Sequence, residues 1–570
     1  MRRRNFLETL AVGSGLFAVA PLSSLPTQAA VKQIKKSDGT EQLEADVVIA
    51  GGGLGGFAAA MAALRNGQSV IMTEETDWIG GQLTQQGVPP DEHAWIDTTG
   101  ATQLYRDFRN RVRDYYRRNY PLTEAAMNDP LLNPGNGTVS ELCHEPRVAL
   151  AVLTELLNTY LSTGRMVLLL EHKAVSADTE DDRVKAIHVK ESRTGFMKKL
   201  VAPFFVDATE LGDLLPLTGT EFVTGTESKA DTGELHAPDK ADPTNNQAFT
   251  MCFAMDYVPG ENHTIKEPAN YTFWRNHVPD LTPPWPGRLL ELHYSNPKTL
   301  QPKKLGFDPL GGKTGDALNL WNYRKIISKD NFVQGTYPGD ISLVNWPQND
   351  YMLGNIVGVS EEEFDKHVAA AKELSLSLLY WLQTEAPRPD GGKGWPGLRL
   401  RKDIMGTTDG LAKYPYVRES RRIKAMFTIR EEHVGRANRE MVAQTNKDKA
   451  AEFSDSVGIG YYHIDLHPSS NRVNYIDFDS LRFQIPLGAL LPIRMKNLLP
   501  ANKNIGTTHI TNGCYRLHPV EWSIGEAVGL LISYVRRKEL TPAEVRKDGK
   551  LLADFQSFIR SQGIETVWPE

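Results

Sequence analysis

Three side chains near the C-terminal end of the chain could do acid–base or anion chemistry: His509, Arg516 and His518. A histidine titrates near neutral pH, so it can take a proton from an alcohol or an amine while the neighbouring bond is oxidised. Pro519 suits the first turn of a helix that continues to about Arg537. We therefore predict His518 as the first candidate base and His509 as the second. The alternative is that either histidine only hydrogen-bonds backbone at a helix start.

A second polar stretch carries four charged residues within five positions. They are Arg418, Glu419, Arg421 and Arg422. These residues either form a buried ion-pair lattice or line a pocket and orient a polar substrate. Asp465 and His467 are further candidates for the wall of such a pocket.

The elements that must position these residues begin with a buried-strand pattern, Ala45–Ala50, which leads directly into glycines and then an Ala-rich helix pattern. Gly51 permits a tight turn, Gly53 lets backbone approach a pyrophosphate, and Gly56 lets the helix pack on the strand. The helix N-terminus would then face the phosphate charge. The predicted cofactor contacts in this stretch are Gly51, Gly53, Leu54, Gly55 and Gly56.

A second strand pattern completes the unit. The run Ser69–Thr73 ends on Glu74, 18 residues past Gly56, where a carboxylate can accept hydrogen bonds from ribose hydroxyls. The sequence therefore contains a whole strand–helix–strand dinucleotide unit. The alternative is a glycine-rich loop in an ordinary parallel sheet.

Composition excludes several classes of protein. With 570 residues, 40% of them apolar and 24% charged, the chain has ordinary globular composition and room for two or three structural units. A net charge of −6 makes nucleic acid an unfavourable partner. The cysteines Cys143, Cys252 and Cys514 lie far apart, which supports no zinc site or other metal site and leaves buried free thiols or one long-range disulfide. No apolar run after residue 30 could cross a membrane.

The first thirty residues resemble a twin-arginine signal peptide. Arg2, Arg3 and Arg4 precede a mildly apolar segment, Leu10–Leu22, and then the small-residue region Ser23–Ala30. This signal carries folded proteins, so it predicts export to the periplasm with a cofactor already loaded. The alternative is a basic amphipathic or membrane-anchoring segment.

The central part of the chain has a different rhythm. Three strand-like runs predict a β-meander, namely Met166–Leu170, Val184–Val189 and Leu200–Val206. Residues 226 to about 410 are rich in Pro, Gly, Asn and Trp, and an amphipathic helix, Glu361–Thr384, interrupts them. Such segments suit a cap that shapes a substrate pocket, or a structural insertion only. The helical spacing over Ala101–Tyr120 predicts a surface helix whose arginines form a solvated face.

Four further motifs carry a family resemblance. They are Asn345–Tyr351, Tyr414–Ile423, Phe483–Pro492 and Asn497–Asn502. Together with the cradle they resemble the bacterial FAD-dependent oxidoreductase family, whose dinucleotide domain is similar to that of glutathione-reductase-like flavoproteins. The resemblance runs from about residue 44 to about residue 535. Glu210 stands where the class usually has glycine, and Ala501–Lys503 stands where Ala-Gly-Arg is more familiar.

This resemblance implies FAD as the cofactor. In that class a glycine-paired loop runs over the pyrophosphate and ribitol toward the flavin, and the closing helix aims its positive end at the flavin ring. His509, Arg516 and His518 would then lie around the ring. The remaining contacts that the resemblance implies are Gly80, Gly81, Gln82, Val175, Asp207, Ala208, Thr209 and Gly525.

The fold class implied is α/β, with a Rossmann-like FAD-binding domain, a β-meander and a mixed α+β cap. We assign residues 44–225 and 480–538 to the FAD domain, 226–479 to the cap and 539–570 to a helical extension. The implied function is an exported dehydrogenase or oxidase that moves a hydride from a small polar molecule, such as a carbohydrate, to flavin N5. Quinone, cytochrome or dioxygen would accept the electrons. The alternatives are a redox-neutral flavoenzyme and a non-catalytic FAD-containing binding protein.

Overall fold

The computed structural model describes residues 30–35 and 41–569. Residues 1–29 of the segment predicted as a twin-arginine signal, residues 1–30, lie outside the described residues. No helix in the described part of the chain is long and apolar enough to cross a membrane.

A five-stranded parallel sheet forms the centre of the predicted dinucleotide-binding part. Its strands, in spatial order, are Leu498–Pro500, Phe204–Asp207, Val47–Ala50, Val70–Glu74 and Met166–Leu170. The two strands of the dinucleotide unit are buried along their whole length, which is why they are continuous apolar runs without polar alternation. The predicted strand–helix–strand unit is confirmed, and the chain re-enters the sheet at Asp207 as expected.

Two helices close one face of this sheet. The first, Leu54–Arg65, follows the glycine turn, and the second, His518–Lys538, packs against it. Glycine permits their close approach, because a Cβ on Gly525 would lie 2.0 Å from the carbonyl oxygen of Gly55. The predicted closing helix is therefore confirmed.

The second sheet corrects the predicted meander. Its order is Lys32–Lys35, Glu41–Glu44, Met197–Val201, Arg183–Glu191 and His172–Glu180. The run Met166–Leu170 was wrongly placed in the meander, since it pairs in parallel with Val70–Glu74. The missed strand, His172–Glu180, is separated from it by Glu171 alone, at a φ of 58°. A single left-handed residue that is neither Gly nor Asn gives no turn signal in the sequence.

The segment predicted as a cap, residues 226–479, contains a four-stranded antiparallel sheet. Its order is Lys325–Ile327, Ile341–Val344, Phe253–Tyr257 and Leu398–Leu400. The predicted helix Glu361–Thr384 is confirmed at the same bounds, and Ser360 caps its N-terminus.

Further helices surround these sheets. The long ones are Gln103–Asn119, Pro146–Ser162 and Gly549–Ser561, and the short ones include Glu124–Asn128, Leu214–Thr218, Tyr271–Asn276, Arg436–Val442, His509–Tyr515 and Pro542–Lys547. The solvated arginine face expected on Gln103–Asn119 is only partly correct. Arg109 and Arg113 are buried, and they pair with Glu92 and Asp97.

Candidate active site

The glycine turn forms an uncapped helix start. Gly51 has a φ of 97°, and a Cβ there would lie 2.1 Å from the carbonyl oxygen of Ala208, so the turn requires glycine. Gly53 is the N-cap residue of the helix Leu54–Arg65 and, as glycine, has no side chain to cap it, while the first-turn amide of Gly55 donates to Glu521. Such a helix start presents free N–H groups and the positive end of the helix dipole, and it is suited to a phosphate.

Glu74 closes the turn from the neighbouring strand. Its Oε2 accepts a hydrogen bond from the Gly52 amide at 3.0 Å, and its Oε1 accepts one from the Thr76 amide at 2.9 Å. Burial raises the pKa of Glu74 to about 8. The carboxyl group therefore stabilises the turn as well as facing the adjoining pocket.

A pocket lies over the carboxyl ends of these strands. Its lining residues include Gly51, Glu74, Glu75, His172, Ala174, Ala208, Thr209 and Glu210. The side chain of Val175 is 40% exposed, and its neighbours His172 and Ala174 line the pocket instead. Asp207 is buried beneath the pocket, where its Oδ1 accepts a hydrogen bond from the Thr209 amide at 3.1 Å.

The loop Gly80–Gln82 joins this cradle to the closing helix. The Gly80 amide donates to the Gly52 carbonyl at 2.8 Å. The side-chain nitrogen of Gln82, Nε2, donates to Glu521 Oε2 at 2.6 Å and to the backbone carbonyl of Arg516 at 2.9 Å. The predicted cofactor loop and the predicted C-terminal site therefore lie side by side.

An ion-pair cluster that the sequence reading missed lies at the helix start. The Gly55 amide donates to Glu521 Oε1 at 3.4 Å, and Lys503 pairs with Glu210 and lies 3.8 Å from Glu521 Oε2. Burial raises the pKa of Glu521 to about 7. The sequence did contain a signal for Glu521: it is an acidic residue in the first turn of the helix whose N-terminus was predicted to face the flavin.

Several buried polar atoms around the loop have no protein partner. They are Gln82 Oε1, both amide atoms of Gln86, Glu210 Oε1 and His518 Nε2. Buried polar groups are rarely left without a hydrogen bond, so these atoms are suited to a large polar group bound along the loop. With the uncapped helix start, they fit a dinucleotide cofactor.

The three predicted catalytic residues occupy different surroundings. His518 is fully buried, its Nδ1 accepts a hydrogen bond from the Asp91 amide at 3.1 Å, and burial lowers its pKa to about 4. His509 Nδ1 lies 2.7 Å from Glu419 Oε1. Arg516 lies between them in sequence, and its guanidinium donates to the Tyr416 hydroxyl at 3.0 Å.

The charged stretch at 418–422 contributes both to a buried ion-pair lattice and to a cavity wall. Arg422 pairs with Glu419 at 2.7 Å and with Glu227 at 2.8 Å, which forms a buried lattice that includes His509. Arg418 instead pairs with Asp350 at 3.0 Å in the wall of a cavity. The remaining arginine, Arg421, pairs with Asp213 at 3.0 Å.

This cavity, of about 210 Å³, lies between the segment predicted as a cap and the closing segment. Three buried arginines line it: Arg324, Arg418 and Arg516. Two histidine–carboxylate pairs complete the polar wall, His463 with Asp477 at 2.8 Å and His467 with Asp350 at 2.6 Å. Asp91, whose amide donates to His518, lines the same cavity, so His518 lies directly behind the wall.

The cavity wall contains unpartnered hydrogen-bond donors. Five buried atoms lack a partner: Arg324 Nε, Trp346 Nε1, Arg418 Nε, Tyr475 Oη and Arg516 Nε. Arginine Nε and indole N–H groups only donate. A ligand that satisfies them must bring hydrogen-bond acceptors, and an oxygen-rich molecule is one class that does so.

A protein-family model described as "FAD dependent oxidoreductase" matches residues 46–559. A comparison with curated proteins found no match.

Solved flavoprotein structures resemble parts of the chain at low identity. A variant of the E. coli quinol fumarate reductase subunit FrdA is 12% identical over 91% of this chain and 74% of that chain, with a TM-score of 0.31. The L-proline dehydrogenase of P. horikoshii is 16% identical over 33% of this chain and 24% of that chain, with a TM-score of 0.17. The myxobacterial halogenase CndH is 16% identical over 39% of this chain and 45% of that chain, with a TM-score of 0.21. This chain thus spans less than half the length of the last two.

Proposed function

This chain belongs to the FAD-dependent oxidoreductase family, and on that premise we propose that it oxidises a small, oxygen-rich organic molecule in the cavity between cap and closing segment. The substrate class we favour is a carbohydrate or a carbohydrate derivative. The observation that supports this choice is the set of five unpartnered donor atoms in one cavity wall, because hydroxyl oxygens of a polyol are acceptors for all of them.

The cofactor would be held by groups already described. Gly51 and Gly53 would let the backbone approach the pyrophosphate, Glu74 would face the ribose, and Gln82 would lie along the ribitol. When bound, FAD supplies an acceptor for a hydride at N5. The protein's own tasks are to orient the substrate, exclude water and remove a proton.

Arg516 connects the cofactor loop to the substrate cavity. Its carbonyl oxygen accepts a hydrogen bond from Gln82, and its guanidinium lines the cavity. We propose that this guanidinium orients the substrate oxygen beside the cofactor. The two bases expected from the sequence lie elsewhere: His518 is placed behind Asp91, and His509 is held in the ion-pair lattice.

We also propose export through the twin-arginine route, with quinone, cytochrome or dioxygen as electron acceptor. The support for export is the sequence of residues 1–30. Replacing Arg3 and Arg4 together by lysine is expected to keep the protein in the cytoplasm, as cell fractionation would show. Periplasmic protein at the wild-type level in that variant would exclude the route.

The test of the function is an anaerobic screen of sugars, polyols, amines and acids against the purified yellow protein. We expect bleaching of the flavin absorbance by at least one polyhydroxylated compound. Bleaching by amines alone would contradict the substrate class. Steady turnover without bleaching or added acceptor would instead favour the redox-neutral alternative.

A further inference from the structure

We propose that His467 is the catalytic base that takes the hydroxyl proton of the substrate, and that Asp350 is its positioning residue. This inference rests on the oxidation proposed above and names the group that carries the proton. It differs from the sequence expectation, which placed the base at His518 or His509. The observations that support it are the hydrogen bonds of the two residues and their place in the cavity wall.

Asp350 is fixed before any substrate arrives. Its side chain is fully buried, and its Oδ1 accepts a hydrogen bond from the Thr250 hydroxyl at 2.6 Å. Arg418 contributes an ion pair to the same oxygen at 3.0 Å. Burial alone would raise the pKa of Asp350, but the charge of Arg418 and the hydrogen bond from Thr250 help to hold it below its usual value. The carboxylate is thus ionised and held in one orientation.

This carboxylate sets the orientation of the imidazole. Asp350 Oδ2 lies 2.6 Å from His467 Nδ1. In the neutral ring Nδ1 therefore carries the hydrogen and donates a hydrogen bond to the carboxylate. Nε2 is then left with a free lone pair, as a base requires. The ring also packs against Tyr475, with centroids 5.5 Å apart. An imidazole held in one tautomer and one orientation is prepared to accept a proton.

The free nitrogen lies on the arginine side of the cavity. His467 Nε2 is 3.6 Å from Asp465 Oδ2, and Asp465 pairs with Arg516 at 3.0 Å. The other charged groups around the ring are Asp350, Arg418 and, along the wall, the pair His463 and Asp477. Asp465 thus lies next to both Nε2 and the Arg516 guanidinium, and we place the substrate hydroxyl in this part of the cavity wall.

The other histidines are less suited to this task. His518 uses one ring nitrogen to accept the Asp91 amide, has no carboxylate partner and does not line the cavity. His463 does have a carboxylate partner, but its side chain is 34% exposed, against 19% for His467. Water competes more readily for the more exposed ring, and proton removal is favoured where water is excluded.

The proposed step is balanced in atoms and electrons. The O–H bond breaks and its proton passes to His467 Nε2, while the hydrogen on the same carbon leaves with both bonding electrons to the FAD of this family. The alcohol becomes a carbonyl compound, and FAD is reduced by two electrons. Asp350 stabilises the imidazolium that results.

The activity test uses the FAD-loaded enzyme and a compound that bleaches it. We expect His467→Gln to retain its flavin and its melting temperature, and to lower the rate of flavin reduction at saturating substrate by about 10² to 10⁴, as loss of a positioned base does. The matched control is His188→Gln, because His188 forms a histidine–carboxylate pair with Asp178 at 3.1 Å on the meander sheet. Reduction of His467→Gln at the wild-type rate would overturn the proposal.

A second measurement does not depend on turnover. Nitrogen NMR of the histidine-labelled wild-type protein, assigned with His467→Gln, reports which ring nitrogen is protonated. We expect the Nδ1–H tautomer at neutral pH, and Asp350→Asn should reduce it in favour of Nε2–H. An Nε2–H tautomer in the wild type would refute the assignment, because no lone pair would then face the cavity. If no compound bleaches the flavin, the proposed function fails, while the tautomer still decides this assignment.

Discussion

Gly53 allows cofactor binding and folding to be tested separately. A Cβ built on Gly53 meets only flexible side-chain tips: Glu210 Oε1 at 3.0 Å, Asn502 Nδ2 at 3.6 Å and Glu521 Oε1 at 3.6 Å. Its φ of −63° is open to any L-residue. By contrast, a Cβ on Gly55 would lie 1.5 Å from the carbonyl oxygen of Ala501. Valine is therefore tolerated by the fold at 53 and not at 55.

The expected magnitudes differ accordingly. Replacing an N-cap glycine by valine and shifting one carboxylate should cost the flavin-free protein about 1 to 2 kcal/mol of unfolding free energy. Valine at 53 blocks the approach of the pyrophosphate to the backbone. Losing two hydrogen bonds to a charged group, at about 1.5 to 3 kcal/mol each, weakens FAD binding by about 10² to 10⁴.

The assay is the ratio of flavin to protein absorbance after purification, with the melting temperature measured with and without added FAD. Gly53→Val should be colourless and folded, with no stabilisation by FAD, while Gly55→Val should not fold. Gly549→Val is the matched control, since nothing lies within 4 Å of a Cβ there, and it should remain yellow. A folded Gly53→Val protein that purifies with a full complement of FAD would refute the cradle.

Three further predictions concern other parts of the molecule. Because burial raises the pKa of Glu521 to about 7 from 4.5, the flavin-free protein should lose stability as pH rises through 7. In Glu521→Gln, the pH-dependent loss of unfolding free energy should be smaller by on the order of 3 kcal/mol. Urea unfolding of this variant with the same pH dependence as the wild type would contradict the prediction. Trp346→Phe removes an unpartnered donor from the cavity and should raise KM by about 5- to 15-fold. The control is Trp395→Phe, which should leave KM unchanged because its unpartnered, buried donor lies outside the cavity. Equal KM values in the two variants would exclude the proposed contact. The three cysteines are free and buried, and burial raises the pKa of each thiol. A disulfide reagent should therefore label none of them in the native protein and all three after denaturation. Rapid labelling of the native protein would refute their burial.

Much of the cofactor half of the molecule could be predicted from local patterns. Sequence patterns no longer than about twenty residues predict the glycine turn, the strand ending on Glu74 and the closing helix, because turn geometry and helix periodicity are properties of neighbouring residues. The motifs shared with the family then indicated that the cofactor is FAD. The boundary at Glu171 escaped prediction because one left-handed residue separated two strands of different sheets.

The cavity could not be predicted in the same way. Arg418 reaches Asp350 across 68 positions of sequence and His467 reaches it across 117, and nothing local marks such pairs. His467 was recognised as a polar residue in a candidate wall, but its carboxylate partner was not, so its role was open. His518 stood out because of its place before a helix, and its burial behind Asp91 depends on packing.

By itself the sequence determined the dinucleotide unit, the cofactor class and the approximate place of the closing helix, because short-range sterics and hydrogen bonding specify them. The tertiary structure decided which charged groups meet: Glu521 at the Gly55 amide, 466 positions away, and Asp350 at His467. Ion pairs and proton acceptors depend on distances of a few ångströms between remote segments and on the exclusion of water around them, and both arise only when the chain is folded.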